Sequence, residues 1–244
     1  MARGPMSGPA ATCAIGVMAK APRSGRSKTR LCPPLTPDQA ATLSAAFLRD
    51  TTANILEAAR AAPIAAYAAY APHGAETSVV PHLAVGTHLV LADGSTPVPA
   101  SVEGFGRCLL QAVEAMLAHG HAAACVLSSD IPTLPTHVLV AAARILLAPG
   151  ERGVLGACDD GGYYILGLKQ THARLFAEIA WSTDTVAAAT RARAREIGLE
   201  LVELEPWYDV DDAVSLARLC AESAGYAAPA TRAVLARLSE PVPA

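Results

Sequence analysis

Five short segments carry side chains able to do chemistry. The first, residues 20–30 (KAPRSGRSKTR), holds Lys20, Arg23, Arg26, Lys28 and Arg30 with no acid among them, and the first acidic residue of the whole chain is Asp38. Gly25 lets a ligand approach the backbone, and lysine and arginine supply charge-assisted donors, so the loop suits a phosphate. Its spacing is neither the P-loop pattern nor the dinucleotide glycine fingerprint. In Ser128-Ser129-Asp130-Ile131-Pro132 a single carboxylate ends an apolar run. Mg²⁺ or Mn²⁺ needs one or two such carboxylates beside phosphate oxygens and waters, although the same residues also suit a turn. Asp159-Asp160-Gly161-Gly162 reads as a hairpin turn, or as a loop whose glycines make room for a substrate and whose acids grip its hydroxyls. Trp181-Ser182-Thr183-Asp184 opens a helix, with Ser182 or Thr183 as cap. Asp209, Asp211 and Asp212 follow Trp207 and Tyr208, and offer either another helix start or a second carboxylate for a metal.

A ligand in an open α/β sheet sits beyond the carboxyl ends of the strands, so these segments gain meaning from the elements that carry them. Residues 13–19 (CAIGVMA) are continuously apolar, which predicts a buried parallel strand leading into the basic loop. Thr36-Pro37-Asp38-Gln39 predicts a capping box and a long amphipathic helix to about residue 61. Strands are expected over 63–71 and 87–92. A helix is expected over 101–119, with Leu109, Leu110, Val113, Met116 and Leu117 on one side. Residues 122–127 predict a second buried strand, which delivers Asp130. A helix over 135–148, strands at 153–157 and 163–168, a helix over 184–198, a strand at 199–204 and helices over 211–224 and 231–238 complete the chain. This alternation predicts βαβ units, a mostly parallel sheet and helices on both faces. No linker rich in Gly, Ser or Pro and no repeat interrupts it, so residues 11–244 are expected to form one domain after a disordered extension over 1–10.

Composition removes several classes of function. The 244 residues are 52% hydrophobic and 17% charged, enough apolar surface for a sizeable core. Mean hydropathy is +0.31, yet the long uncharged stretch 77–92 contains Pro81, His82 and His88, and no run reaches the roughly 18–20 apolar residues of a spanning helix. The net charge of −3 gives no general attraction for nucleic acid or anionic lipid. The six cysteines include no C-x-x-C pair, and neither a zinc site nor a disulfide framework is expected. H-E-x-x-H and G-x-S-x-G are absent. His119 and His121 flank a glycine where a turn is expected, and Arg191, Arg193 and Arg195 read as a solvated helix surface. Without an apolar leader before Lys20, the cytoplasm is the expected location.

Taken in order, residues 18–31 (MAKAPRSGRSKTRL), 129–132 (SDIP), 159–168 (DDGGYYILGL), 181–186 (WSTDTV) and 207–211 (WYDVD) resemble the bacterial arsenosugar-biosynthesis-type glycosyltransferases, proteins of the GT-A fold. The resemblance covers about residues 13–215. It implies a nucleotide-diphospho-sugar transferase fold, Rossmann-like, with the 20–30 loop near the phosphates and Asp130 standing where the GT-A metal aspartate falls. A more distant similarity links the basic loop to the small-molecule guanylyltransferases of cofactor synthesis. The sequence departs from the family at 103–109 (EGFGRCL), where a G-D-L-G-E-R-M-like helix start would place an Asp and an Arg. The metal motif is Ser-Ser-Asp rather than D-x-D, so a second ligand is needed, and Asp209 or Asp211 is the candidate.

The expected function is metal-dependent glycosyl transfer from a nucleoside diphosphate sugar to a small-molecule acceptor. The base would lie at the strand end marked by Ala19. The phosphates would lie over Lys20, Arg23, Gly25, Lys28 and Arg30, with Mg²⁺ or Mn²⁺ on Asp130 and on Asp209 or Asp211. The acceptor would approach Asp159, Gly161, Gly162, Trp181, Ser182 and Thr183, with Asp160 or Asp184 as general base. The alternative is a nucleotidylyltransferase joining a nucleoside triphosphate to a phosphorylated acceptor and releasing pyrophosphate. A nucleotide-binding regulator without turnover is the reading from another class.

Overall fold

Strand β1 (Cys13–Lys20) is buried from Cys13 to Val17 and reaches solvent only at Lys20, as a strand covered by helices on both faces should. It is an interior strand of a seven-stranded sheet with β2 (Ile64–Ala71), β3 (His88–Leu91), β4 (Ala123–Leu127), β5 (Gly153–Ala157), β6 (Tyr163–Leu168) and β7 (Leu201–Glu203). The spatial order is β3-β2-β1-β4-β6-β5-β7. Cys13 pairs with Ile64 on one side and Ala123 on the other. Strand β6 alone runs antiparallel to its neighbours, because the connection from β5 is too short for the crossover that a parallel pair requires. The computed structural model describes residues 11–239; the extension expected over 1–10 lies outside the described residues.

Among the described residues seven α-helices accompany the strands: α1 (Pro37–Ala58), α2 (Glu76–Val79), α3 (Phe105–Ala118), α4 (Thr136–Leu147), α5 (Val186–Glu196), α6 (Ala213–Ala221) and α7 (Pro229–Leu238). The box that opens α1 is formed as expected: Thr36 Oγ1 accepts from the Gln39 amide at 3.2 Å and Gln39 Oε1 from the Thr36 amide at 2.8 Å. Helix α2 and the 3₁₀ turns Val80–His82 and Ala173–Phe176 escape the sequence reading, since one turn is too short to show a period. Helix α5 begins two residues later than expected, after Thr185. None of the helices among the described residues is long and apolar enough to cross a membrane.

Each face of the sheet has its own apolar cluster. One joins β1 and β4 to α1 and α4 through residues such as Ile15, Leu48, Leu127 and Leu139. The other packs α3 against the opposite face through Leu110, Val113 and Met116. A third cluster, away from the sheet, gathers Leu31, Phe47, Tyr208, Val210, Leu219 and Val234. It therefore pins the basic loop to the segment that follows β7, two regions about 180 residues apart. The chain leaves β1 for β2 on one side and returns through β4 on the other. The carboxyl ends of β1 and β4 consequently flank the place where the strand order reverses, where open α/β sheets form a ligand crevice.

Candidate functional site

A cleft of about 540 Å³ opens at that place. Its floor is the end of β1 with Ala19 and Lys20, its near wall Arg26, Lys28 and Arg30, and its back Ser128, Ser129 and Asp130 after β4. Asp211 closes one end, while Phe105, Cys108, Tyr163 and Ser182 form the far rim. Leu31, fully buried in the third cluster, fixes the 3₁₀ turn Thr29–Leu31. Lys28 caps that turn in a left-handed conformation (φ 51°, ψ 41°), a strained backbone for a lysine. The result is a side chain turned inward and only 6% exposed.

The Lys28 ammonium lies 2.9 Å from Asp130 Oδ1 and 2.7 Å from Asp211 Oδ1, and donates to the Val210 carbonyl at 2.6 Å. Burial alone would lower its pKa, but Asp130 and Asp211 outweigh that and raise it, so the side chain is a cation. The Val210 amide donates to the Asp130 carbonyl at 2.8 Å, joining the two acid-bearing segments. Val210 is fully buried. In extended chain its neighbours Asp209 and Asp211 share the opposite side.

Asp209 joins a second group. One ligand atom each from Cys158, Asp160 and Asp209 lies within 4.8 Å of the others. Asp209 is pushed up to about 6 by burial and by Asp160, Asp211 and Asp130, with its own backbone N–H a partial counterweight. Burial and the neighbouring carboxylates, Asp209 first, also push the Cys158 thiol upward. Asp130 and Asp211 thus share the Lys28 ammonium, and Asp209 lies close enough to feel the charge of both and of Asp160. Hard oxygen donors so placed fit a divalent cation such as Mg²⁺ or Mn²⁺.

Other expected site residues are more dispersed. Arg23 and Gly25 lie on the outer side of the loop and do not line the cleft; the Arg23 amide donates to Ser27 Oγ at 2.9 Å. Asp159-Asp160-Gly161-Gly162 is the hairpin turn between β5 and β6, with the Gly162 amide donating to Asp160 Oδ1 at 2.8 Å. Asp159 pairs with Arg218 at 2.7 Å. Gly161 has φ +88°, and a Cβ there would lie 2.0 Å from the Asp184 carbonyl, so this glycine docks the hairpin on the start of α5. Trp181 stacks edge-on against Phe105, donates to the Glu103 carbonyl at 3.2 Å, and leaves no room for a Cβ at Gly106. It seats the first turn of α3, as a wall of the site rather than a surface in it. Thr183 donates to the Ala180 carbonyl at 2.7 Å, and only Ser182 of this segment reaches the cleft.

The sequence reading did not single out Phe105, Cys108, Tyr163 or Cys158. The Tyr163 hydroxyl is buried without a hydrogen-bond partner among the described residues. Its place directly after the two glycines was the available signal. Arg26 was visible as part of the positive run. Of the arginines expected on a solvated helix surface, Arg191 pairs with Glu203, and Arg193 reaches Glu178 at 3.2 Å and the Ala177 carbonyl, tying α5 to the loop before it.

The sequence pattern of one family, described as "Uncharacterized protein conserved in bacteria (DUF2064)", matches residues 51–183. No curated protein matches. The fold is similar to that of a crystal structure from Desulfovibrio desulfuricans G20 described as a "putative nucleotide-diphospho-sugar transferase". The TM-score is 0.77 at 22% identity, over 93% of this chain and 95% of that one. It is also similar to the CMP:2-keto-3-deoxy-manno-octonic acid synthetase complexed with CTP, with a TM-score of 0.54 at 12% identity, over 86% of this chain and 98% of that one. The single-domain α/β architecture expected from the sequence is thus the nucleotide-diphospho-sugar transferase fold.

Proposed function

This chain belongs to the DUF2064 family, and we propose that it is a cation-assisted glycosyltransferase that moves a sugar from a nucleoside diphosphate to a small-molecule acceptor. The convergence of Lys28, Asp130 and Asp211 inside the cleft at the strand-order reversal carries this reading. Lys20, Arg26 and Arg30 line the same cleft and form no ion pair among the described residues, so their charge is available to the diphosphate. The small side chains Ala19, Ala69, Ala71 and Ala92 leave the β1–β2 end of the cleft open for the base. Asp130 and Asp211, with Asp209 beside them, would hold Mg²⁺ or Mn²⁺. Such an ion, when bound, stabilises the negative charge that gathers on a departing diphosphate.

On the acceptor side, Ser182 and Tyr163 border the cleft. Asp160 is exposed at the hairpin tip beside the acid group, and takes the acceptor proton. Asp184 carries the backbone against which Gly161 packs.

Nucleotidyl transfer is the second reading. It is favoured by the likeness of fold to a synthetase complexed with CTP and by three cationic side chains where a sugar donor needs fewer. Incubation with nucleotide sugars and, separately, with nucleoside triphosphates separates the two, because the first reaction releases a nucleoside diphosphate and the second pyrophosphate. Release of either that is lost on chelation and in Asp130→Ala supports the cleft as active site. Cation-dependent turnover retained in that variant would overturn it.

A further inference from the structure

Lys28 stands where an ion shared by Asp130 and Asp211 would stand. Its three ammonium protons are taken by Asp130 Oδ1, Asp211 Oδ1 and the Val210 carbonyl, at 2.9, 2.7 and 2.6 Å. An ammonium has three donors and no more, so in this arrangement Lys28 has nothing to offer a phosphate, although it lines the cleft that Lys20, Arg26 and Arg30 face. The two carboxylates that share this ammonium are the ones expected to hold a metal ion, and the ammonium and the ion cannot both occupy the point between them.

Building on the cation-assisted reading above, we propose that Lys28 is the resident cation of the Asp130–Asp211 pair: a divalent ion enters by displacing its ammonium, which then becomes a donor to the bound phosphate. Lysine suits the exchange because its charge is compact and carried on a flexible stem, whereas an arginine fork would lock on the carboxylates. Apart from the two acids, the ammonium is held by the Val210 carbonyl and lies 5.6 Å over the Phe47 ring. Ion and anion binding are then coupled in both directions, since each favours the outward position of Lys28. The device keeps the acid pair partly neutralised until a ligand arrives, without closing the site.

The test reads ion binding, not turnover. Titration calorimetry with Mg²⁺ alone should show Lys28→Met binding the ion about tenfold or more tightly than the native protein, because an occupied site weakens apparent affinity by the fraction of time it is free. The chain has only three lysines, Lys20, Lys28 and Lys169, so the side-chain ammonium signal of Lys28 can be resolved by ¹⁵N NMR in the native protein. Mg²⁺ should shift that signal and end its protection from exchange. Mg²⁺ binding of Lys28→Met that is no tighter than native would overturn the proposal. So would a Lys28 signal that stays unchanged while Mg²⁺ binds, or an absence of Mg²⁺ binding to either protein. If the variant does not fold, as judged by circular dichroism, the native NMR titration decides alone. Failure of the transferase reading would show separately, as exchange of Lys28 for Mg²⁺ without turnover of any nucleotide.

Discussion

Among the described residues, carboxylates are withdrawn from solvent fully at Asp50 and only partly around Asp209, and the two places treat the charge in opposite ways. Asp50, on α1, is 1% exposed. Its oxygens accept the amides of Ala230 and Thr231 at 3.0 and 2.6 Å, the first turn of α7. A helix N-terminus presents unpaired N–H groups and partial positive charge, so this carboxylate is fully provided for. Asp209 is instead desolvated by burial and faces Asp160, Asp211 and Asp130, which together push its pKa up to about 6. The first acid holds a helix in place. The second belongs to a group with more negative charge than Lys28 can offset, and that deficit distinguishes a site from a support.

The largest effect should come from the acid pair. Asp130→Ala should lower cation-dependent transfer by about a hundredfold or more, as removal of a group stabilising developing charge does, while the urea midpoint changes little. Equal activity in variant and native protein would erase the distinction between the two places. Asp50→Ala should do the reverse. It strands two buried amides and should cost about 2–3 kcal/mol of stability, read from the urea midpoint at unchanged slope, with Mg²⁺ affinity preserved. A still smaller change, of opposite sign, is expected at Asp209. Asp209→Asn removes one of the crowded charges, so the metal-free protein should melt higher, while the rise in Tm on adding Mg²⁺ should shrink. A lower melting temperature in metal-free Asp209→Asn would show that its charge is compensated after all.

The sequence made local rules legible and long-range partners not. The box at Thr36 and Gln39 and the apolar run of β1 depend on neighbours within four residues or on burial alone. The carboxyl-end rule put Lys28 and Asp130 near one crevice, where they are in contact, and Asp211, one of the two candidates for a second carboxylate, joins them there. That the contact saturates Lys28 could not be read, because it depends on the Val210 carbonyl and on a cluster joining Leu31 to Leu219. Asp50 looked like an ordinary helix residue, since its partners lie about 180 positions away. Trp181 was expected on the acceptor side with the rest of its segment; the glycines at 104 and 106 that receive it carried the signal for its packing instead.

The smallest predicted effect tests whether the basic loop itself has an inside and an outside. Arg26 and Arg30 line the cleft and Arg23 does not, although all three are exposed and a few residues apart. If position within the cleft matters, Arg26→Ala should weaken binding of inorganic pyrophosphate about two- to fivefold at low salt, the range for one exposed ionic contact. The difference should fade as salt shortens the Debye length toward 3 Å at about 1 M. Arg23→Ala should change neither affinity nor salt dependence beyond its small share of the general field. Calorimetry of the two variants at two salt concentrations distinguishes the cases. Equal losses would mean that the loop acts as a diffuse positive surface, and that only the buried Lys28 distinguishes the cleft from the rest of the exterior.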